Sequence, residues 1–182
     1  MNEKESKSDT NVKDGFPSQW YSYAQQIVNN LPYAAMALLG GAIFITGFVN
    51  PAWGWICASA YVIYGVAGAF WIMIFMCPYC RRWNTINCPC GDGLIAARFR
   101  QKRDTSLFRD KFKKHIPVIV PLWLIPILVG VPLAIRSFSW LMIVLLVVFA
   151  LDAFVVLPLL STKYGCVNCP EKNSCPWMGR KG

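Results

Sequence analysis

Long apolar runs separated by short polar interruptions dominate the hydrophobic pattern of this chain. Four runs extend approximately over residues 31–49, 53–76, 116–135 and 140–160. Each is long enough to cross a bilayer as a helix, which takes about 20 predominantly apolar residues. Only residues 50–52 and 136–139 separate the members of each pair, so the runs pair as two helical hairpins with very short turns. The pattern therefore predicts an all-α, polytopic membrane protein with four transmembrane helices in two hairpins.

The segments outside these runs complete a five-part organisation. A polar N-terminal tail ends in an interfacial segment whose aromatic residues, such as Trp20 and Tyr21, are typical of the headgroup level. A basic, cysteine-rich loop connects the hairpins, and its apolar residues recur at near-helical spacing, so we expect cytoplasmic amphipathic segments there. Asp104, Thr105 or Ser106 is placed to cap the second of these segments. In chain order the parts are residues 1–30 (tail and interfacial segment), 31–76 (first hairpin), 77–115 (loop), 116–160 (second hairpin) and 161–182 (a second cysteine-rich segment).

The positive charge of the chain is concentrated in the loop between the hairpins. The formal net charge is +9, and ten Lys or Arg residues lie between positions 81 and 114, opposed by three Asp residues. The short turns within the hairpins carry only Arg136. The positive-inside rule therefore places the loop and both termini in the cytoplasm of a multi-pass protein of the cell (inner) membrane. Charge confined to a membrane surface indicates membrane lipid and a protein partner, and it argues against nucleic acid.

The fourth run contains an ionisable residue, Asp152, near the middle of the membrane. An Asp at this depth costs about 2.5–3.5 kcal/mol, which makes it a candidate functional residue. We expect Asp152 to relay protons or to bind the head group of a quinone. The alternative is a protonated or hydrogen-bonded Asp that ties helices together, for instance through Ser59 or Tyr61.

Seven of the eight cysteines follow the predicted cytoplasmic ends of helices. Cytosolic thiols stay reduced, so such a group indicates metal binding or catalysis before it indicates disulfides. The eighth, Cys57, lies on the outer part of the second run, about 30 Å from Cys77 at 1.5 Å per residue, and we expect it only to pack. The candidate metal ligands are Cys77, Cys80, Cys88, Cys90, Cys166, Cys169 and Cys175.

The spacing of these cysteines favours a metal bound by thiolates alone. Cys77 and Cys80, like Cys166 and Cys169, are separated by two residues, so both sulfur atoms of a pair can reach one ion or one cluster. Proline directly follows four of the seven, as is common beside iron–sulfur ligands. Because His115 is the only histidine, mixed Cys/His zinc sites and bis-histidine haem are excluded. All-thiolate zinc and iron–sulfur sites both stay open.

The number of thiolates does not fix the number of metal centres. Seven exceed the four ligands that one 4Fe-4S cluster needs and fall one short of two cysteine-only clusters. One cluster with spare thiols is one solution, and two clusters with a non-cysteine ligand such as Asp92 is another. The four ligands favoured by spacing are Cys77, Cys80, Cys166 and Cys169.

Two shorter motifs have other known uses. Cys77-Pro78-Tyr79-Cys80 is also the active-site motif of glutaredoxins, but thiol–disulfide exchange in that fold needs a preceding strand, whereas an apolar run precedes the motif here. Cys88-Pro89-Cys90 is similar to the motif of copper-pumping ATPases, which lies inside a membrane helix of a protein with a phosphate-binding motif. Here it lies in a polar loop, and we discount it.

Residues 70–177 resemble the four-helix membrane 4Fe-4S proteins that accompany nitrate and nitrous-oxide reductases, the polyferredoxin-type quinol dehydrogenase subunits. In that family a membrane helix ends in cysteines followed by proline, and a basic loop, two helices and a second Cys/Pro motif come next. The run 88–94, Cys-Pro-Cys-Gly-Asp-Gly-Leu, is similar to the family's Cys-Pro-x-Gly-x-Leu, and Asp152 ahead of Cys166 also matches its pattern. The chain departs from the family in its cysteine spacing, which is usually Cys-x-x-x-Cys-Pro, and in lacking the ferredoxin domain. The resemblance implies cluster binding and a quinol partner.

These observations lead to one main hypothesis and two alternatives. The first is an integral membrane electron-transfer protein with one or two 4Fe-4S clusters, which passes electrons between a quinol-type carrier and a protein partner. The second is a zinc–thiolate membrane scaffold or assembly subunit without redox chemistry. The third is thiol-based handling of metal ions, with ligand exchange and release. Since the chain shows no nucleophile–base pair and no nucleotide-binding loop, we expect an electron-transfer subunit and not an independent enzyme.

Overall fold

A computed structural model describes residues 21–85, 88–167, 169, 172 and 175, and within these residues it is helical and contains no strand. Four helical stretches are long and apolar enough to cross a membrane: Tyr23–Gly47, Pro51–Tyr79, Thr105–Ser137 and Trp140–Cys166. They follow one another as two hairpins. The predicted all-α membrane fold with four spans is confirmed. The polar tail, residues 1–20, lies outside the described residues.

Seven α-helices build the described part of the chain, and short 3-10 and π-helical segments extend several of them. The α-helices are α1 (Tyr23–Gly47), α2 (Pro51–Phe75), α3 (Asp92–Phe99), α4 (Phe108–His115), α5 (Val120–Ser137), α6 (Trp140–Leu151) and α7 (Leu157–Leu160). The 3-10 segments are Cys77–Tyr79, Thr105–Leu107 and Ile116–Ile119, and the π-helical segments are Asp152–Val156 and Ser161–Cys166. The two amphipathic segments expected in the loop are therefore α3 and α4, and Asp104 caps the second by accepting from the Ser106 amide.

The first span begins earlier than the hydrophobic pattern predicts, at Tyr23 and not near residue 31. Ser22 caps the helix by accepting from the backbone amide of Gln25, and the Gln25 side chain in turn accepts from the Ser22 amide. This capping box satisfies two amides that a helix start leaves without partners. From Tyr23 onward, the residues expected to form a separate interfacial segment instead form the first turns of α1.

Helix α1 lies at the centre of the packing and contacts α2, α5 and α6. The fully buried side chains Met36, Ile43, Leu122 and Phe149 form the core between these helices. Gly54 of α2 lies so close to α1 that a Cβ there would be 3.1 Å from the Phe44 carbonyl oxygen. Small residues permit such close approach in lipid, where van der Waals packing holds helices together.

Tyrosine hydroxyls of the first hairpin bind backbone carbonyls, two of which belong to the third span. Tyr61 donates to the Leu122 carbonyl over 2.7 Å, and Tyr64 donates to that of Val118. Tyr33 joins the two helices of the first hairpin by donating to the Gly65 carbonyl over 2.8 Å. Buried hydroxyls need such acceptors because lipid offers none. These bonds attach the second hairpin to the first.

The fourth span departs from regular α-helix around Pro158. One π-helical segment precedes α7, in which Pro158 lies, and another follows it. Proline has no backbone amide to donate and its ring crowds the preceding turn, so the helix must rearrange locally. The second segment carries the chain to Cys166. Because four spans alternate in direction, Cys166 comes to the same end of the bundle as Cys77.

Candidate metal centre

The first cysteine pair lies on a 3-10 turn that ends the second span. Cys77, Pro78 and Tyr79 form the turn, and the Cys80 amide donates to the Cys77 carbonyl over 3.0 Å. Pro78 fits the turn start because its fixed φ suits that position and its missing amide leaves no donor unpaired. Pro78 and Tyr79 are buried, and the Arg103 amide donates to the Pro78 carbonyl over 2.8 Å. The basic loop thus folds back on the first pair.

Cys88 and Cys90 lie on a tight turn that leads into α3. The Gly91 amide donates to the Cys88 carbonyl over 3.2 Å, and Gly91 has φ +81°, which a residue with a side chain adopts only with strain. At Gly93 a Cβ would be 2.7 Å from the Arg82 carbonyl oxygen and 3.5 Å from the Cys88 Cβ. The two glycines therefore let this turn lie directly against the chain that follows Cys80.

Two asparagines of α1 hold the same turn from the other side. The Asn29 side-chain amide donates to the Pro89 carbonyl over 2.9 Å, and that of Asn30 donates to the Cys90 carbonyl over 3.0 Å. Neither residue was a sequence-predicted site residue. Their partners are backbone carbonyls 60 residues away in the chain, so no local pattern marked them.

Thiols from both hairpins come together at this end of the bundle. Cys77 lies within electrostatic reach of Asp92, Cys88, Cys80 and Cys90. Cys90 in turn lies within reach of Cys166, which ends the fourth span.

Three of the cysteines lie at or after the end of the fourth span: Cys166, Cys169 and Cys175. Cys166 lies within electrostatic reach of Cys169 and Cys175, and the Cys169 amide donates to the Cys166 carbonyl over 3.1 Å. A Cβ at Gly165 would be 4.0 Å from Pro89 Cγ, so the two groups also approach through their backbones. All seven predicted residues thus form one chain of neighbours, and their role as metal ligands stays a prediction. Cys57 is separate, packed against the core.

Burial dominates the electrostatics of the group. Burial, and after it the charges of Asp92, Cys88 and Cys166, raises the pKa of Cys90 to about 12. Burial also raises the pKa of Asp92 to about 6. The metal-free thiol of Cys90 is therefore protonated at neutral pH, and binding a metal there would release its proton.

The donor set suits a soft metal by its chemistry. All eight cysteines are free thiols, and the seven of the group are partly buried. Several thiolates in a partly buried region suit zinc or an iron–sulfur cluster. Among the described residues, no three His, Cys, Asp or Glu side chains are arranged as a ligand cage. The structure therefore brings the donors into one region without forming the cage itself.

Asp152 lies apart from the thiols. It begins the first π-helical segment, about 20 Å along the helix axis from Cys166 at 1.5 Å per residue. Its Oδ2 atom is buried and has no hydrogen-bond partner among the described residues. Tyr61, a partner considered for it, donates its hydroxyl to Leu122 instead. A role for Asp152 in binding a quinone or relaying protons stays a prediction.

An open, largely apolar groove lies beside Cys90. It has a volume of about 570 Å³ and runs between the beginning of α1 and α3. Ile27 and Leu31 line one wall and Leu94 the other, while Gln26 and Cys90 lie at its polar end. As far as the structure describes the chain, the lining contains no Lys, Arg, Asp or Glu.

No protein-family model, curated protein or solved structure matches the chain.

Proposed function

We propose that this protein is an integral membrane iron–sulfur protein that carries electrons at the cytoplasmic membrane face between a quinol-type carrier and a protein partner. The observation that supports it best is the close approach of the chain at Gly165 to Pro89, where an added Cβ would be 4.0 Å from Pro89 Cγ, because these residues adjoin Cys166 and Cys90 of the two cysteine groups. Thiols assembled from opposite halves of a chain at one membrane surface suit a shared metal centre better than separate packing roles. One or two 4Fe-4S clusters fit the number of donors.

The neighbour relations suggest how the ligands divide. Cys77 has Cys80, Cys88 and Cys90 as neighbours, so these four cysteines are the best-supported set for one cluster. This set differs from the one that spacing favours, which combines Cys77 and Cys80 with Cys166 and Cys169. The three cysteines from Cys166 onward would then hold a second cluster with a fourth ligand from Asp92 or from a partner protein. A bound cluster would supply one-electron transfer at this site.

The groove beside Cys90 supports a quinol-type carrier. Its walls are apolar and exposed, and its lining lacks the cations that a phospholipid phosphate requires. A quinol has a neutral ring with hydroxyl groups and an apolar tail, and the Gln26 carboxamide at the polar end can hydrogen-bond such a ring. Oxidation of the quinol to a quinone releases two electrons, which would leave singly through the metal centre to the partner protein. Its two protons would leave to water.

A zinc–thiolate scaffold is the second candidate, and the contacts around the thiols favour it over the third. Asn29 and Asn30 of the first hairpin hold the turn of Cys88–Cys90, and Tyr21 donates to the Tyr164 carbonyl of the fourth span over 2.8 Å. A zinc ion between Cys90 and Cys166 would complete such a connection between the hairpins. Metal-ion handling, the third candidate, would instead require exposed and exchanging ligands.

The electron-transfer proposal is tested with anaerobically purified protein and a short-chain quinol analogue. We expect the quinol to bleach the visible absorption of the protein, because electrons reach the metal centre from the groove. Ala34→Phe, which fills the groove from α1, should slow this reduction at least tenfold. Leu38→Phe is the matched control, since Leu38 is 70% exposed and does not line the groove. If dithionite reduces the protein but the quinol does not, the protein would hold a cluster but would receive its electrons from a different donor.

A further inference from the structure

We propose that Arg100, Lys111 and Lys114, together with Trp71, Phe75 and His115, bind the head group of an anionic phospholipid. The site lies where the end of α2 meets α4. It goes beyond the proposed function and does not depend on a metal.

Three aromatic rings form the floor of the site. The Phe75 and His115 rings stack with their centroids 5.2 Å apart, and the Trp71 ring lies 4.4 Å from Phe75. The Trp71 indole donates to His115 Nδ1 over 3.2 Å. Indole is a donor only, so Nδ1 carries no proton and the imidazole is neutral, with its N–H at Nε2. That N–H is a further donor for an anionic group.

Three cations lie near this floor. The Arg100 guanidinium lies 5.9 Å from the centre of the Phe75 ring, and Lys114 and Lys111 both act electrostatically on His115. Lys111 also lies 5.5 Å from the centre of the Tyr79 ring. In the described part of the chain none of the three cations forms an ion pair with an acidic side chain. The site therefore holds three positive charges without an ion-pair partner among the described residues.

The depth of the site identifies lipid as the occupant. Trp71 and Phe75 belong to the last turns of α2, and His115 separates the basic helix α4 from the apolar segment that leads into α5. Phosphate groups lie at this boundary in a bilayer. Trp71 is 40% exposed and adjoins Phe70, which is 44% exposed. Acyl chains can therefore cover the aromatic residues while the phosphate meets the cations, whereas an acidic soluble protein would contact only the cations.

The test compares lipid retention by two charge-matched variants in detergent, measured by native mass spectrometry with phosphatidylglycerol and with phosphatidylcholine. Arg100→Gln/Lys111→Gln/Lys114→Gln removes the three cations of the site. Arg98→Gln/Lys102→Gln/Arg109→Gln removes the same charge from exposed positions elsewhere in the loop. We expect wild type and the second variant to retain one phosphatidylglycerol, and the first variant to lose affinity about fivefold for each charge removed. Arg100→Lys/Lys111→Arg/Lys114→Arg, which preserves the charges, should restore retention and so exclude misfolding as the cause.

Three outcomes would overturn the proposal. Equal loss of phosphatidylglycerol in both charge-removing variants would show nonspecific attraction to the basic loop. Retention of phosphatidylcholine as strong as that of phosphatidylglycerol would show that the phosphate charge is not recognised. Binding of a polyglutamate peptide that depends on the three cations, without any dependence of lipid retention, would identify an acidic protein as the occupant.

Discussion

The side-chain amide of Asn30 donates to the backbone carbonyl of Cys90 over 3.0 Å, which links the first membrane helix to the cysteine turn 60 residues later in the chain. Asn29 makes the corresponding bond to Pro89 over 2.9 Å. A loop held at two successive carbonyls has little freedom to move its thiols. The first helix is therefore a structural part of the candidate metal centre although it contributes no cysteine.

Replacing both asparagines by alanine should weaken metal binding without unfolding the protein. Each lost hydrogen bond costs about 0.5–1.5 kcal/mol. Loss of groups that support metal ligands typically lowers metal affinity about 10–100-fold. The metal content of purified Asn29→Ala/Asn30→Ala measures the effect. Gln101→Ala, which removes an exposed amide outside the site, is the control. Unchanged metal content in the double variant would show that these hydrogen bonds fix the loop but do not contribute to metal binding.

Serine substitutions should reveal how the cysteines divide between metal centres. If Cys77, Cys80, Cys88 and Cys90 hold one cluster, Cys88→Ser/Cys90→Ser should lose that cluster and keep the one held by Cys166 and its neighbours, so that about half of the iron is retained. Cys57→Ser should retain all of it, because Cys57 packs in the membrane away from the group. Iron and acid-labile sulfide assays decide. Complete loss of iron from the double variant would indicate a single cluster that both hairpins share.

The close approach of α2 to α1 at Gly54 makes this glycine hard to replace. A Cβ there would lie 3.2 Å from the Ile45 Cα, a backbone atom that cannot move aside, so Gly54→Ala should destabilise the protein by about 1–3 kcal/mol. At Gly41 the nearest atom to an added Cβ is Val62 Cγ2 at 3.6 Å, an ordinary contact, and Gly41→Ala should be tolerated. Thermal unfolding in detergent compares the two. Equal stability of both variants would contradict the close packing of the first hairpin.

Asp152 should prove costly to stability. Its Oδ2 atom is buried without a hydrogen-bond partner among the described residues, in a span where an Asp costs about 2.5–3.5 kcal/mol. We expect Asp152→Leu to raise the unfolding temperature in detergent, because it removes this unpaired carboxyl from the span. A lower unfolding temperature would instead mean that Asp152 ties helices together through a hydrogen bond.

The membrane spans could be predicted from the sequence because about 20 apolar residues in succession have few other uses. The start of the first span could not, since the polar residues around Asn29 and Asn30 do not look like membrane helix. Their partners are backbone carbonyls of a distant loop, which no local pattern reveals. The capping box of Ser22 and Gln25 was the one local signal of the true helix start.

The sequence could predict that the cysteines lie at one end of the bundle, but not how they are arranged there. Cys77 lies at the end of the second span and Cys166 ends the fourth, so the number of spans alone brings both cysteines to the same side of the membrane. The approach of Cys90 to Cys166, and the gathering of Arg100 and Lys114 around Phe75 and His115, depend on how the helices pack. Packing of this kind follows from side-chain shapes across four helices, and hydropathy does not encode it.

The most direct test of the central claim is an optical spectrum of the anaerobically purified protein before and after dithionite, with iron, zinc and acid-labile sulfide measured on the same sample. A 4Fe-4S protein should show broad absorption at about 400 nm that bleaches on reduction, together with iron and sulfide in nearly equal amounts. A colourless protein that carries stoichiometric zinc would contradict electron transfer and would make the cysteine group a structural clamp between the two hairpins.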